Sequence, residues 1–484
     1  MKSRVWAVLV LLFVTGAAVA GKAPSVKGDP KARLGRSYRF ERGGWVYVHL
    51  EGKPADLGFQ QGYLLSEEIE DGFKVVQLRD THVSKHDWEF FRKVAHDIFW
   101  PKIDPEYQAE LKGIQEGLAA KGSQLTLDDV VALNGMEEIA DYYVPYLNRL
   151  QGKLNPKGAV AQGNCSAFVA TGSYTADGKI VIAHNNWTSY ISGERWRIIY
   201  DVVPDHGLHF IMDGYPGTIT SGDDFGMNSE GLVVTETTIS GFVGFDPNGK
   251  PEFVRSRKAM QYAKDIDQWI KIMQEGNNGA YANDWLLADR KSNEIARVEL
   301  GLLHSAVDRS NDGYFVGSNF PTDAALIHDE TNFDLKDGNS SPNARRKRWE
   351  QVIQQNKGKI DADLARKFMS DHYDAVESKK EANLHSLCGH GDTDPRAEKV
   401  WDQDPFDPMG AVNGKTADFQ MVKKMSFYAR TGHPCGENFK AAEFLKAHPE
   451  YSWQAPVLHD MVAGPWVIFT DHDSDEDSET DGEL

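Results

Sequence analysis

The spacing of apolar positions divides this chain into a helical stretch and a strand-rich one. From Asp56 to about Leu150 the period is helical. Leu111, Ile114 and Leu118 make one stripe that Gly122 closes, and Phe91, Val94, Ile98 and Phe99 make another. Thr126, with Asp129 three residues on, has the form of a capping box ahead of Val130-Val131-Ala132-Leu133. Before this stretch, residues 38–50 (YRFERGGWVYVHL) alternate as a strand or hairpin does. Beyond residue 190, short β-favouring runs follow one another with Gly, Asn and Asp turns between them. They are 197–203, 208–212, 231–239, 284–287, 295–300 and 314–316. Helical patterns return at 253–275, 343–357 and 361–372.

Between the two regimes lies residues 163–190, GNCSAFVATGSYTADGKIVIAHNNWTSY. A strand-like run, 166–171, starts directly after Cys165, and a second, 179–183, leads into His184-Asn185-Asn186-Trp187-Thr188. Asp177-Gly178 supplies a tight-turn signal between them. Antiparallel pairing about that turn predicts Cys165 opposite a residue between roughly 187 and 190, within side-chain reach of the polar cluster. Gly152 to Gly163 (GKLNPKGAVAQG) reads as an exposed linker of the kind that can be cut.

Charge and composition narrow the functional classes. A net charge of −19 argues against a nucleic-acid partner and against electrostatic attachment to anionic lipid. With 40% hydrophobic residues and 12 Trp the chain can bury a large core. Lys2 and Arg4, the apolar run from Val5 to Ala20 and Ala18-Val19-Ala20 before Gly21 predict a secretory signal peptide. Cleavage near Ala20-Gly21 would give a secreted or periplasmic protein, and no transmembrane segment is expected. Residues 471–484 hold eight acidic residues and are expected to form a disordered tail.

Three cysteines, Cys165, Cys388 and Cys435, leave one over in an oxidising compartment. Both Cys388 and Cys435 sit in Gly-rich loop sequence, so a Cys388–Cys435 disulfide is the preferred arithmetic, with three unpaired thiols as the alternative. His385, His390, Asp392 and Asp394 cluster near Cys388, but their spacing matches no standard zinc site. No metal and no organic cofactor is expected. There is no G-x-S-x-G, H-E-x-x-H or G-x-x-x-x-G-K-[ST] motif. A thiol needs a base, and a free α-amine titrates near 7.7–8.0. Cutting the Asn164–Cys165 bond would therefore give Cys165 a base on its own residue.

The residues also carry a resemblance. C-S-A-x-V followed by A-H-N-N-W-T-S-Y resembles the phospholipase B-like (laminal ancestor-like) proteins and is similar to the penicillin acyltransferase family, both cysteine N-terminal-nucleophile hydrolases. Segments 215–238 (YPGTITSGDDFGMNSEGLVVTETT), Ser318-Asn319-Phe320-Pro321, Asn343 to Arg348 and 410–436 resemble the family in the same order, as do Gly58, Gly62 and LTLDDVVALN. The resemblance implies an α+β fold, the four-layer αββα sandwich. Between the signal peptide read at 1–20 and the acidic tail read at 471–484, it implies a mainly helical fragment at 21–164 and a hydrolase core at 165–470.

Site roles follow from the same resemblance. Cys165 would be the nucleophile, first in self-cleavage after Asn164 and then on substrate, with its freed amine as base. Asn319 and Thr238 match oxyanion-hole positions. His184, Asn186 and Trp187 would line the pocket. Thr188 stands where the penicillin acyltransferases have Asp. Arg345 matches an arginine that pairs with site carboxylates. The implied substrate is a small acyl-amide or acyl-ester, with a phospholipid acyl ester or a secreted binding protein with a decayed site as alternatives. The two fragments are expected to stay associated.

Overall fold

The computed structural model describes residues 30–154, 165–222 and 225–475. Most of the strand pattern resolves into two large sheets. One has nine strands, in spatial order Tyr38–Arg42, Trp45–Gly52, Ile198–Pro204, Phe210–Gly214, Gly226–Asn228, Leu232–Thr238, Asn283–Asp289, Glu294–Leu300 and Ser305–Ser310. The other has six, in the order Gly313–Gly317, Ser166–Thr171, Val181–Ser189, Met409–Asp418, Ser426–Thr431 and Val467–Thr470. Neighbours run antiparallel except Trp45–Gly52, which pairs parallel with Ile198–Pro204.

Strand periodicity then fixes the layers. Alternate residues of the two sheets meet in one core, where Trp45, Ile199, Ile211, Val233 and Leu286 pack against Ala167, Val169, Ile182, Ala417 and Phe427. The residues between them point outward: Val46, Val48, Tyr200 and Val234 pack on a helical layer through Leu57, Ile69, Val76 and Ile114. On the far side, Phe168, Ala170, Val181 and Ala183 pack on Trp349, Val352, Ala365 and Phe368 of the helices Ser341–Gln355 and Ala362–Met369. This is a four-layer αββα sandwich. In the larger helical layer, Pro54–Leu64 and Pro105–Ala120 cross through glycines. A Cβ on Gly58 would lie 1.8 Å from the Glu110 carbonyl oxygen, and one on Gly113 2.4 Å from that of Ala55.

Thr126 and Asp129 do form the capping box, opening the helix Leu127–Asn134. The hairpin register differs from expectation. Ser166 pairs with Asn185, which sets Cys165 across from Asn186 rather than 187–190. A turn of 3-10 helix at Gly172–Tyr174 interrupts the connection and moves its centre toward Thr175, ahead of Asp177-Gly178.

The first residues of the segment expected to be a disordered tail are engaged with the fold. His472 N donates to Asp201 Oδ2 at 2.9 Å, and buried Asp473 takes a two-pronged ion pair from Arg42 at 2.9 and 3.1 Å. Cys388 and Cys435 are not joined; all three cysteines are free thiols. The physical reason is that both sulfurs turn to one imidazole, His390 Nε2, at 3.7 and 3.6 Å. The segment expected to be a signal peptide, Asn164 and residues 476–484 lie outside the described residues. Among the described residues, no helix is long and apolar enough to cross a membrane.

Candidate active site

Cys165 stands at the start of the strand Ser166–Thr171 and is 3% exposed. Three of its atoms have dedicated partners. The backbone N donates to Asn319 Oδ1 at 3.1 Å, and Sγ lies 3.6 Å from Glu236 Oε1. Its carbonyl oxygen accepts a hydrogen bond from Arg345 Nη1. These partners come from three other elements: the loop after Gly313–Gly317, the strand Leu232–Thr238 and the helix Ser341–Gln355.

Asn319 is held in a left-handed conformation, φ 70°, uncommon for a residue with a Cβ. Its Nδ2 donates to Thr238 O at 2.8 Å, while Oδ1 accepts from Arg345 Nη2 at 2.8 Å as well as from Cys165. In this state its amide group therefore holds the Cys165 nitrogen. Thr238 lines the pocket, and its hydroxyl lies 3.5 Å from Glu236 Oε2. Arg345 makes no ion pair with a carboxylate among the described residues. Its guanidinium donates to Ser341 Oγ at 3.0 Å and lies 4.2 Å from the centre of the Trp187 ring. Burial pushes its pKa down to about 9, so it remains a cation at neutral pH.

His184 is fully buried, with a ring nitrogen within 4.8 Å of Cys165 Sγ and of a Glu236 oxygen. Asn186, Trp187 and Thr188 line the pocket that Cys165 opens into. Asn186 Nδ2 and Trp187 Nε1 are buried there without hydrogen-bond partners, which leaves two donors for an incoming acceptor. Thr188, at the strand end, pairs with Gly410.

Sequence reasoning missed several residues here. Glu236 is a wholly buried carboxylate in a strand of otherwise apolar and threonine residues, and Tyr281 donates to its Oε1 at 3.1 Å. A lone acidic residue inside such a strand was the available signal. Arg79 and Asp80, paired at 2.8 Å, line the pocket wall, as does Asp141. Burial pushes Asp80 up to about 6 against the pull of Arg79. Asp407 also lines the pocket, and burial followed by repulsion from Asp404 pushes it up to about 7. The cluster expected around Cys388 comes apart: His385 Nε2 meets Asn339 O at 2.8 Å, Asp394 pairs with Arg396 at 2.8 Å, and Asp392 accepts from Tyr190 at 2.6 Å.

Comparison with known proteins bears on the residues carrying most of this site. Residues 73–300 match the family model described as Phospholipase B. Over these residues the chain resembles the phospholipase B family. The matched region holds Cys165, His184, Asn186, Trp187, Thr188, Glu236 and Thr238, while Asn319 and Arg345 lie beyond it.

A Rattus norvegicus protein named phospholipase B-like 2 is 33% identical over 156 residues, 29% of this chain and 26% of that one. Phospholipase B-like 1 of Caenorhabditis elegans is 31% identical over 160 residues, 31% of this chain and 28% of that one. The chain thus spans about a quarter of the length of the curated phospholipase B-like relatives just named. An uncharacterised protein of Archaeoglobus fulgidus is 24% identical over 59% of this chain and 48% of its own. Among solved structures, a variant of the conjugated bile acid hydrolase of Clostridium perfringens shares 14% identity. It covers 55% of this chain and 89% of its own, with a TM-score of 0.33.

Proposed function

We propose that this phospholipase B-like chain is an exported cysteine N-terminal-nucleophile hydrolase. It would release a small acyl group from an amide or ester through a thioester on Cys165. The observation that carries the reading is the separate partnering of one residue at three atoms: nitrogen by Asn319, sulfur by Glu236, carbonyl by Arg345.

Two proton acceptors serve two stages. In the uncut chain the Cys165 nitrogen is an amide and no base, so the Glu236 carboxylate takes the thiol proton. Sγ then attacks the Asn164 carbonyl carbon, the C–N bond breaks and the Cys165 nitrogen gains a proton. Water hydrolyses the thioester, freeing Sγ and leaving a carboxylate on Asn164. In the mature protein the freed α-amine, positioned by Asn319 Oδ1, takes the thiol proton as Sγ attacks the substrate carbonyl. Asn186 Nδ2 supplies a hydrogen bond to the developing oxyanion. The amine returns its proton to the leaving group, and water then hydrolyses the acyl-thioester. The carboxylate that Thr188 does not provide is available from Glu236. Arg345 favours the thiolate electrostatically.

The pocket favours a small substrate. Its cavity is about 130 Å³, the share of roughly four liquid waters and below the roughly 300–1,000 Å³ of drug-sized sites. A wall carrying Arg79, Asp80, Glu137 and Asp141 suits a polar group beside the acyl carbon. The names of the relatives favour a second reading, hydrolysis of a phospholipid acyl ester. Short-chain acyl amides and esters assayed beside phosphatidylcholine vesicles separate the two. Faster turnover of the vesicles would overturn the small-substrate reading. Intact mass tests the maturation step: the wild type should give fragments beginning near Gly21 and at Cys165, and a wild type that stays one chain ends the free-amine mechanism.

A further inference from the structure

Cys388 and Cys435, expected to pair with each other, keep free thiols and have other company in the fold. The loops after the helix Ala362–Met369 and after the strand Ser426–Thr431 bring together His372, Cys388, His390 and Cys435. One side-chain nitrogen or sulfur of each lies within 4.8 Å of all the others.

We propose that these four residues form a structural zinc site of Cys2His2 type, apart from Cys165 and independent of whether Cys165 is catalytic. Zn–S bonds near 2.3 Å and Zn–N bonds near 2.0–2.1 Å make the edges of a tetrahedron roughly 3.4–3.8 Å long. The two Sγ–Nε2 separations at His390, 3.7 and 3.6 Å, are of that length. The His372 and His390 rings stand edge to face with centroids 5.0 Å apart, so their nitrogens can converge without the rings stacking. His372 Nε2 is shut off from solvent and has no hydrogen-bond partner. Two soft thiolates and two imidazoles are the donor set that selects zinc over magnesium or calcium.

The surroundings are those of a fixed site. Cys388 N donates to Asp371 O at 3.0 Å and His390 N to Asn383 O at 3.3 Å, so the loop is pinned on both sides. Glu437 N donates to Cys435 Sγ at 3.4 Å, a backbone contact that steadies a thiolate. Two thiolates and one divalent ion carry no net charge together, which lowers the cost of burying them. Cys388 is fully buried, as a closed structural site requires.

The site also has a position in the fold. Gly389, between two of the ligands, faces the Trp187 ring so closely that a Cβ there would lie 2.0 Å from it. Trp187 in turn lines the Cys165 pocket and carries Arg345 on its face. Zinc would therefore clamp the loop on which this ring rests, making His390 and Cys388 positioning residues for the pocket.

The experiment is elemental analysis of the full chain purified under reducing, chelator-free conditions, followed by cobalt(II) titration of the chelated protein. The expected result is about one zinc per chain, with thiolate-to-cobalt charge-transfer and intense tetrahedral visible bands that zinc abolishes at one equivalent. Cys435→Ser should lower the bound zinc to below about a tenth per chain, and Cys165→Ala should leave it unchanged. If the ligand variant fails to fold, the cobalt titration of the native chain decides alone. Folded, reduced native protein that binds neither ion overturns the proposal. So does native protein isolated without metal whose mass and peptide map show a Cys388–Cys435 disulfide, formed with loss of two protons and two electrons to an oxidant.

Discussion

Two thiol environments in this molecule invite comparison, because the same side chain is given different neighbours. Cys165 begins a sheet strand and meets a carboxylate, a guanidinium and an amide, with an open cavity in front of it. Cys388 and Cys435 sit on loops and meet imidazoles. A carboxylate near a thiol can accept its proton and let it go again. Two imidazoles and a second thiol can hold a cation. What separates attack from ligation is thus the donors around the sulfur, not the sulfur itself.

The comparison can be broken most severely at Cys165. Cys165→Ala should abolish both self-cleavage and turnover, a fall of about 10³-fold or more, with zinc content untouched. Turnover by the alanine variant would show that the sulfur of the strand site is dispensable. Glu236→Gln keeps the shape and removes the carboxylate. Cleavage of freshly made chain, followed by gel, should slow by roughly 10²-fold while Cys165 remains alkylatable. An unchanged rate would assign the first proton transfer elsewhere. At the loop site, Cys435→Ser should lose the metal and cost roughly tenfold in turnover through the slackened support of Trp187, within the range seen for supporting shells of metal sites. Restoring zinc to the wild type after chelation should recover that loss, and should not rescue the variant.

The smallest effect concerns Asp407, which lines the pocket. Its folded pKa, about 7, lies above the ordinary carboxylate value, so the native state holds its proton where the unfolded chain has released it. Stability is then lost as pH rises from about 4 to about 7, and the loss stays constant above that. Asp407→Asn should raise the stability at pH 8 by about 1–2 kcal/mol and leave it unchanged at pH 3.5. Equal gains at both pH values would remove the electrostatic explanation.

Much of the sandwich was legible because buried strands and amphipathic helices write their period directly into sequence, as at 294–300 and around Thr126. The strands Met409–Asp418, Ser426–Thr431 and Val467–Thr470 were harder. Met409–Asp418 is buried along nearly its whole length yet carries Asn413, Lys415 and Thr416, so it shows no alternation to read. Ser305–Ser310 is a largely exposed edge strand in which Ala306 and Val307 fall on opposite faces, so neither face reads as apolar. The site divided in the same way. Cys165 and the residues after His184 announce themselves by adjacency. Glu236, Arg79 and the four donors at 372, 388, 390 and 435 are gathered only by the folding of distant loops and strands, and spacing along the chain carries little trace of that.

The strand Trp45–Gly52 lies inside its sheet, paired on one side with Tyr38–Arg42 and on the other with Ile198–Pro204 across the cut expected before Cys165. In a chain severed there, the covalent link that delivered the strand to its slot would be gone. Renaturation then becomes a second-order encounter between two pieces, each exposing apolar surface while it waits. The unsevered protein should recover from urea at any dilution. The matured one should recover, if at all, in proportion to its concentration, so its durability is a matter of how slowly it comes apart.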